Sequence, residues 1–214
     1  MDEEISIIDT KTRNEKVKDF LLKNKRLIIS NLLIIILLVL GFYSYQIYSD
    51  SQRKLLSEKF NGAVIEYKNE DKSKTFLLMR EIVEDKDSTY SPLALYFIID
   101  NELTNNSEEI NKLFDFLINK TSLEKEIRYL IIYKKALFNA DLADENEMLD
   151  ILKPIINSES VWKSHALYLM AEYFYSKNEK QKSKDFFNQI LNLKNSNPDI
   201  LKEAQKRLNR DLSD

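Results

Sequence analysis

The chain has 214 residues with 32 basic and 35 acidic side chains, a formal net charge of −3, no cysteine and a single histidine, His165. This balance lacks the basic footprint of a nucleic-acid-binding protein, and the lack of cysteine excludes disulfides, thiol catalysis and cysteine-based metal sites. Two glycines and three prolines are too few for the tight turns of a strand-rich domain, so we predict an all-α protein.

The first predicted element is a transmembrane helix. Residues 27–49, LIISNLLIIILLVLGFYSYQIYS, contain no charged side chain and lie between Arg26 and Asp50. An apolar helix of about 20 residues spans the hydrocarbon core of a bilayer. A cleaved signal peptide is disfavoured because its apolar run is shorter and ends at a small-x-small cleavage site. A buried core helix would rarely lack any charge over this length.

The basic residues that flank this segment predict its orientation. An excess of Lys and Arg marks the cytoplasmic side of a membrane helix. Arg53, Lys54 and Lys59 follow the segment, whereas six basic residues precede it: Arg13, Lys16, Lys18, Lys23, Lys25 and Arg26. We therefore expect a single-pass membrane protein, with residues 1–26 as a cytoplasmic tail and residues 50–214 outside the cytoplasm, which in a bacterium means the periplasm or the cell exterior.

Helix-start signals recur along the remainder of the chain. A capping residue followed by proline, or followed three positions later by Glu, is typical of a helix N-terminus. Such signals occur at five places: Ser91-Pro92, Asn106-x-x-Glu109, Thr121-x-x-Glu124, Asp144-x-x-Glu147 and Asn197-Pro198. The apolar residues between them follow the helical period, and Leu201, Ala204, Leu208 and Leu212 predict a final amphipathic helix.

The spacing of these helices predicts a repeat. In a tetratricopeptide hairpin a small residue lies where the two helices cross and an aromatic of the second helix packs there, which Ala171 and Phe187 satisfy between residues 164 and 193. A shift of about 35 residues, close to the tetratricopeptide period of roughly 34, brings Ala136 to the same place. Earlier and weaker hairpins are predicted at residues 92–119 and 52–84. A plain helical bundle is the alternative.

The layout of the whole chain resembles a known family. The tail carries Ile8-Asp9, Arg13, Glu15, Lys16 and Phe20, and the membrane helix ends in Gly41-Phe42-Tyr43-Ser44-Tyr45 before a helical-repeat domain. This arrangement is similar to the YfgM-like family of tetratricopeptide-like inner-membrane proteins, which are ancillary subunits of the Sec translocon. In this chain Ala171 and Ala136 replace the glycine usual at the helix crossing. The resemblance implies a bacterial inner membrane with residues 50–214 as a periplasmic domain, protein partners and no catalytic residues.

A candidate protein-binding groove follows from the repeat register. The first helices of stacked hairpins line the concave side, and tyrosine suits protein contacts because it has an apolar ring and a polar hydroxyl. The alternative is that these side chains pack between repeats or against the end helix. The predicted groove residues are Leu130, Tyr133, Leu137, His165, Tyr168, Glu172 and Tyr175.

We therefore expect a membrane-anchored interaction module, an ancillary factor of the Sec translocon or of periplasmic chaperone traffic. Its predicted partners are translocon subunits, periplasmic chaperones or exported chains, together with the lipid bilayer. No cofactor, metal, nucleic acid or small-molecule substrate is expected. A scaffold for envelope assembly or cell division is the alternative, and a periplasmic enzyme is disfavoured because His165 is the only histidine and no glycine-rich phosphate loop is present.

Overall fold

The computed structural model describes residues 18, 20–68 and 71–212. The tail residues Ile8, Asp9, Arg13, Glu15 and Lys16 lie outside this part of the chain. The described residues form helices and turns without a strand, which confirms the all-α prediction. From Lys25 onward the helices are α1 (Lys25–Lys68), α2 (Lys72–Glu84), α3 (Tyr90–Asp100), α4 (Ser107–Lys120), α5 (Lys125–Asn139), α6 (Glu145–Ile156), α7 (Lys163–Ser176), α8 (Lys180–Leu191) and α9 (Pro198–Asp211).

The long helix α1 contains the predicted membrane segment. It is long and apolar enough to cross a membrane, and its apolar side chains from Leu27 to Tyr48 are exposed. The end of α1, from Leu56 to Lys68, forms the first helix of the hairpin predicted at residues 52–84. The chain divides into two compact units, Met1–Leu55 and Leu56–Asp214, and the boundary falls within α1.

The second unit is a stack of helical hairpins, as the sequence predicts. From α2 to α9, each helix packs against the next one in the chain. Alternate helices also contact each other, because α2 packs on α4, α5 on α7 and α7 on α9. These contacts place α5, α7 and α9 in one layer. We call α3, α5, α7 and α9, together with the end of α1, the first helices of the hairpins.

Three hydrophobic clusters follow one another along the stack. Ala63, in the hairpin predicted at residues 52–84, lies in the first cluster with Met79 and Ile82. Ala136 lies in the second with Met148, Leu152 and Ile155, and Ala171 lies in the third with Phe187 and Ile190. All three alanines are fully buried, as the predicted register expects of Ala136 and Ala171.

The predicted helix starts are confirmed at three of five places. Asn106 and Asn197 accept hydrogen bonds from backbone N–H groups of the first turn, and Asp144 forms a complete capping box with Glu147. The prediction at Thr121 is wrong, because this buried residue follows the end of α4 and α5 begins after Glu124. A side chain that is packed into the core cannot turn back to cap the next helix.

The prediction at Ser91 is also wrong. Helix α3 begins at Tyr90, and the carboxylate of Asp87 accepts hydrogen bonds from the backbone N–H groups of Thr89 and Tyr90. The Ser91 hydroxyl instead donates a 2.7 Å hydrogen bond to the carbonyl of Ile82 in α2. A tertiary contact thus takes the side chain that the local pattern assigned to the cap.

Candidate functional site

The seven predicted groove residues lie on two adjacent first helices. Leu130, Tyr133 and Leu137 belong to α5, and the other four belong to α7, which packs against both α5 and α9. Leu137 is 43% exposed, whereas the remaining six are half-buried. They therefore share one helical layer, but their surroundings divide them into three groups.

The first group is an aromatic cluster between α5 and α7. Tyr133 stacks on Trp162 with ring centroids 5.8 Å apart, and His165 lies 5.1 Å from Trp162 and 6.0 Å from Tyr133. Burial lowers the pKa of His165 and raises the pKa of Tyr133. These rings pack one hairpin onto the next, which is the packing alternative that the sequence left open.

The second group is covered by the end helix α9. The guanidinium of Arg207 donates to both carboxylate oxygens of Glu172, at 2.7 Å from Nε and 2.6 Å from the terminal nitrogen. It also lies 4.4 Å from the centroid of the Tyr175 ring and pairs with Asp211. A bidentate Arg–carboxylate pair is both strong and directional. The Glu172 and Tyr175 end of the predicted groove is therefore an internal contact of the chain.

Tyr168 lies beside this ion pair. Its ring packs edge-to-face on Phe187 at 5.4 Å. Burial, the negative charge of Glu172 and a hydrogen bond with Glu172 raise the Tyr168 pKa to about 12. The hydrogen bond with Arg210 and the neighbouring Arg207 lower the pKa of Asp211 to about 2. The cluster therefore keeps Tyr168 protonated and Asp211 charged near neutral pH, as a structural contact requires.

The third group is the outward stripe of α5, which we define as Ile127, Leu130, Lys134 and Leu137. Successive members are three or four residues apart, so they lie on one face of the helix. Ile127 is 40% exposed and Leu137 is 43% exposed. The opposite face buries Ile131, Ile132 and Ala136 in the core. The α5 stripe is thus an aliphatic surface on a helix whose core face is already filled.

A tyrosine of α3 extends this surface. The Lys134 ammonium lies 5.2 Å from the centroid of the Tyr96 ring. Burial raises the Tyr96 pKa to about 12, and its buried hydroxyl has no hydrogen-bond partner in the described part of the chain. The sequence prediction missed Ile127, Lys134 and Tyr96. The helical spacing of Ile127, Leu130 and Leu137 was the signal that could have identified the stripe.

Two surface clefts lie elsewhere. One of about 800 Å³ runs along α9 beside Leu191 and Leu201, and one of about 530 Å³ lies among α4, α5 and α6 around Asn111 and Asn139. Neither is lined by any of the seven predicted residues. Within residues 18, 20–68 and 71–212, no group of three or more His, Cys, Asp or Glu side chains is placed to hold a metal ion.

Comparison with known proteins adds no identification. No protein-family model, curated protein or solved structure matches this chain.

Proposed function

We propose that the protein is a membrane-anchored protein–protein interaction module. The apolar part of α1 would be a single membrane span, with the basic side in the cytoplasm and the hairpin stack in the periplasm of a bacterial inner membrane. Support comes from the length and apolar character of α1 and from the excess of Lys and Arg before Leu27. The proposed interaction role rests on the α5 stripe.

The α5 stripe favours a binding surface for a physical reason. Isolated exposed aliphatic residues are normal on a soluble protein, whereas aliphatic residues grouped on one exposed helix face favour an interaction site. Ile127, Leu130 and Leu137 share one face of α5, flanked by Tyr133 and Tyr96. Half-buried tyrosines at the margin supply the rigid, amphipathic contact area that interfaces favour. A partner would place apolar side chains on this stripe.

The resemblance to the YfgM-like family makes the Sec translocon the partner that we propose first. Periplasmic chaperones and exported chains are the further partners that we propose for the same apolar surface. The stripe has aliphatic character and one cation, so it suits an apolar segment better than a charged one. The proposed role requires no catalytic group, cofactor or metal.

Site-specific photocrosslinking tests this function. A photoreactive phenylalanine analogue at position 137 should crosslink to translocon subunits in intact membranes. The matched control places the analogue at position 77, because Leu77 is 61% exposed on α2 and lies outside the stripe. Equal crosslinking from both positions would count against the stripe.

Co-purification provides the second readout. Ile127→Ser with Leu137→Ser should reduce recovery of the translocon after mild detergent extraction. Ile65→Ser with Leu77→Ser removes two exposed aliphatic residues elsewhere and should leave recovery unchanged. Circular dichroism of each variant confirms that the helices are retained. If the stripe variant is folded and still recovers the translocon at the parent level, the proposed interaction site is wrong.

A further inference from the structure

The two ends of the apolar segment differ in charge. The nine residues that precede Leu27 include Lys18, Lys23, Lys25 and Arg26 against one acidic residue, Asp19, a net charge of +3. The nine residues that follow Ser49 include two basic and two acidic residues, a net charge of zero: Asp50, Arg53, Lys54 and Glu58. A strong cationic cluster therefore adjoins only one end of the segment.

The cationic cluster is available to a ligand. Lys18, Lys23, Lys25 and Arg26 are exposed, and none of them forms an ion pair with another residue that the structure describes. Helical geometry with a rise of about 1.5 Å per residue places Lys23, Lys25 and Arg26 within about 6 Å of the start of the apolar run. That distance matches the headgroup layer, which adds about 5–8 Å on each side of the hydrocarbon core.

Apolar side chains accompany these cations. Phe20, Leu21 and Leu22 are 63%, 48% and 60% exposed. Asn24 stabilises the helical turn from Phe20 to Asn24, because its backbone N–H and its side-chain amide each donate a 3.0 Å hydrogen bond to the carbonyl of Phe20. Basic residues beside exposed aromatic and aliphatic residues are typical of a segment that lies in a lipid interface. The segment thus combines charge for a headgroup with an apolar surface for the acyl boundary.

We propose that Lys23, Lys25 and Arg26 bind the phosphate of anionic phospholipid headgroups, with Phe20–Leu22 lying at the same interface. Arg can bind phosphate oxygens in a bidentate manner and Lys binds them as a point charge. Juxtamembrane clusters of basic residues attract anionic lipids in this way. The inference rests on the proposed membrane anchor and adds a lipid preference at one of its two ends.

Electron paramagnetic resonance with spin-labelled lipids measures this preference. The full chain is reconstituted in phosphatidylcholine vesicles with a trace of spin-labelled phosphatidylglycerol or phosphatidylcholine. The motionally restricted fraction should give an association constant for phosphatidylglycerol about two- to five-fold above that for phosphatidylcholine. Equal constants would overturn the lipid preference. No restricted fraction with either lipid would instead overturn the membrane anchor itself.

A pair of matched variants locates the site. Lys25→Gln with Arg26→Gln should bring the ratio of the two constants close to one. Arg53→Gln with Lys54→Gln removes the same number of charges beyond the other end and should leave the ratio at the parent value. All four side chains are exposed, so neither change disturbs packing. An equal loss in both variants would show a general effect of positive charge and contradict the proposed site.

A comparison of two salts distinguishes a lipid headgroup from free inorganic phosphate as the ligand of the cationic cluster. Sodium chloride should weaken the preference, since mobile ions screen exposed charges. Sodium phosphate at the same ionic strength should weaken it to the same extent. A larger loss in phosphate would show that free inorganic phosphate occupies the cluster, and it would overturn the lipid assignment.

Discussion

His165 shows how a single residue can attract a functional interpretation that its surroundings do not support. As the only histidine it is the sole candidate for a histidine-dependent mechanism. The structure places it beside the stacked rings of Trp162 and Tyr133, with ring centroids 5.1 Å and 6.0 Å from the imidazole. This setting stabilises the neutral form, because burial penalises charge. The residue therefore contributes to the contact between two hairpins.

We predict that His165 titrates below its ordinary pKa of 6.5. Since the folded state then binds the proton less well than the unfolded state, the stability contributed by His165 is fully present above pH 6.5 and is lost as the pH falls through the lower folded pKa. Nuclear magnetic resonance of histidine labelled at Cε1 gives one titrating signal in this chain. A midpoint at or above 6.5 would contradict the proposed burial, and His165→Gln should abolish the signal without loss of the folded structure.

At the scale of the elements, the chain forms its helix ends with few glycines. Glu102 and Asn178 adopt positive φ values of 48° and 60° just after α3 and α7, where glycine is the commonest residue. At both ends the two hydrogen bonds of a Schellman motif are present, for example from the Glu179 N–H to the Phe174 carbonyl. Non-glycine residues are tolerated at these positive φ values because these hydrogen bonds and the surrounding packing stabilise the helix ends.

The contact between α7 and α8 gives a quantitative prediction. Phe187 is fully buried beside Ala171, Leu167 and Ile190. Phe187→Ala should lower the free energy of unfolding by about 3–5 kcal/mol, because it leaves a cavity. Ala171→Leu should lower it by about 1–3 kcal/mol, because the added atoms overpack the helix crossing. Chemical denaturation followed by circular dichroism measures both changes.

The control is a phenylalanine in a more open place. Phe186, the neighbour of Phe187 in the chain, is only half-buried and stacks on Phe174. Phe186→Ala should therefore cost less than Phe187→Ala. Equal costs, or a Phe187→Ala variant as stable as the parent, would show that the assigned helix register is incorrect.

At the scale of the whole molecule, orientation across the membrane is the main prediction. The chain contains no cysteine, so one introduced thiol reports one position. Ser73→Cys places a thiol at an exposed site of α2, and Ser6→Cys places one in the tail. A membrane-impermeant maleimide added to intact spheroplasts should label Ser73→Cys and should label Ser6→Cys only after lysis. The basic flank on the tail side is the physical reason.

The reverse labelling pattern would invert the proposed topology. Labelling of both thiols in intact spheroplasts would show that the apolar part of α1 does not keep the two ends on opposite sides. A lysed sample provides the control, because both variants should then react fully.

The amino-acid sequence alone was sufficient to predict the class of structure and the apolar helix. Scarcity of glycine and proline favours helices, and an uncharged segment of sufficient length is a property of composition alone. It also determined the crossing positions, since a small residue such as Ala171 and a large one such as Phe187 recur at spacings fixed by helix geometry. These features depend on local periodicity, which a linear pattern records.

Contacts between helices, in contrast, determine which residues of the first helices are covered. Glu172 and Tyr175 have the same helical phase as exposed positions, yet Arg207 of α9 covers them. Ser91 and Thr121 matched capping patterns, yet one bonds to α2 and the other is buried. Leu137 is left exposed on the α5 stripe. Periodicity shows which side of a helix is apolar, whereas the neighbour that covers a given position is fixed by contacts between residues far apart in the chain.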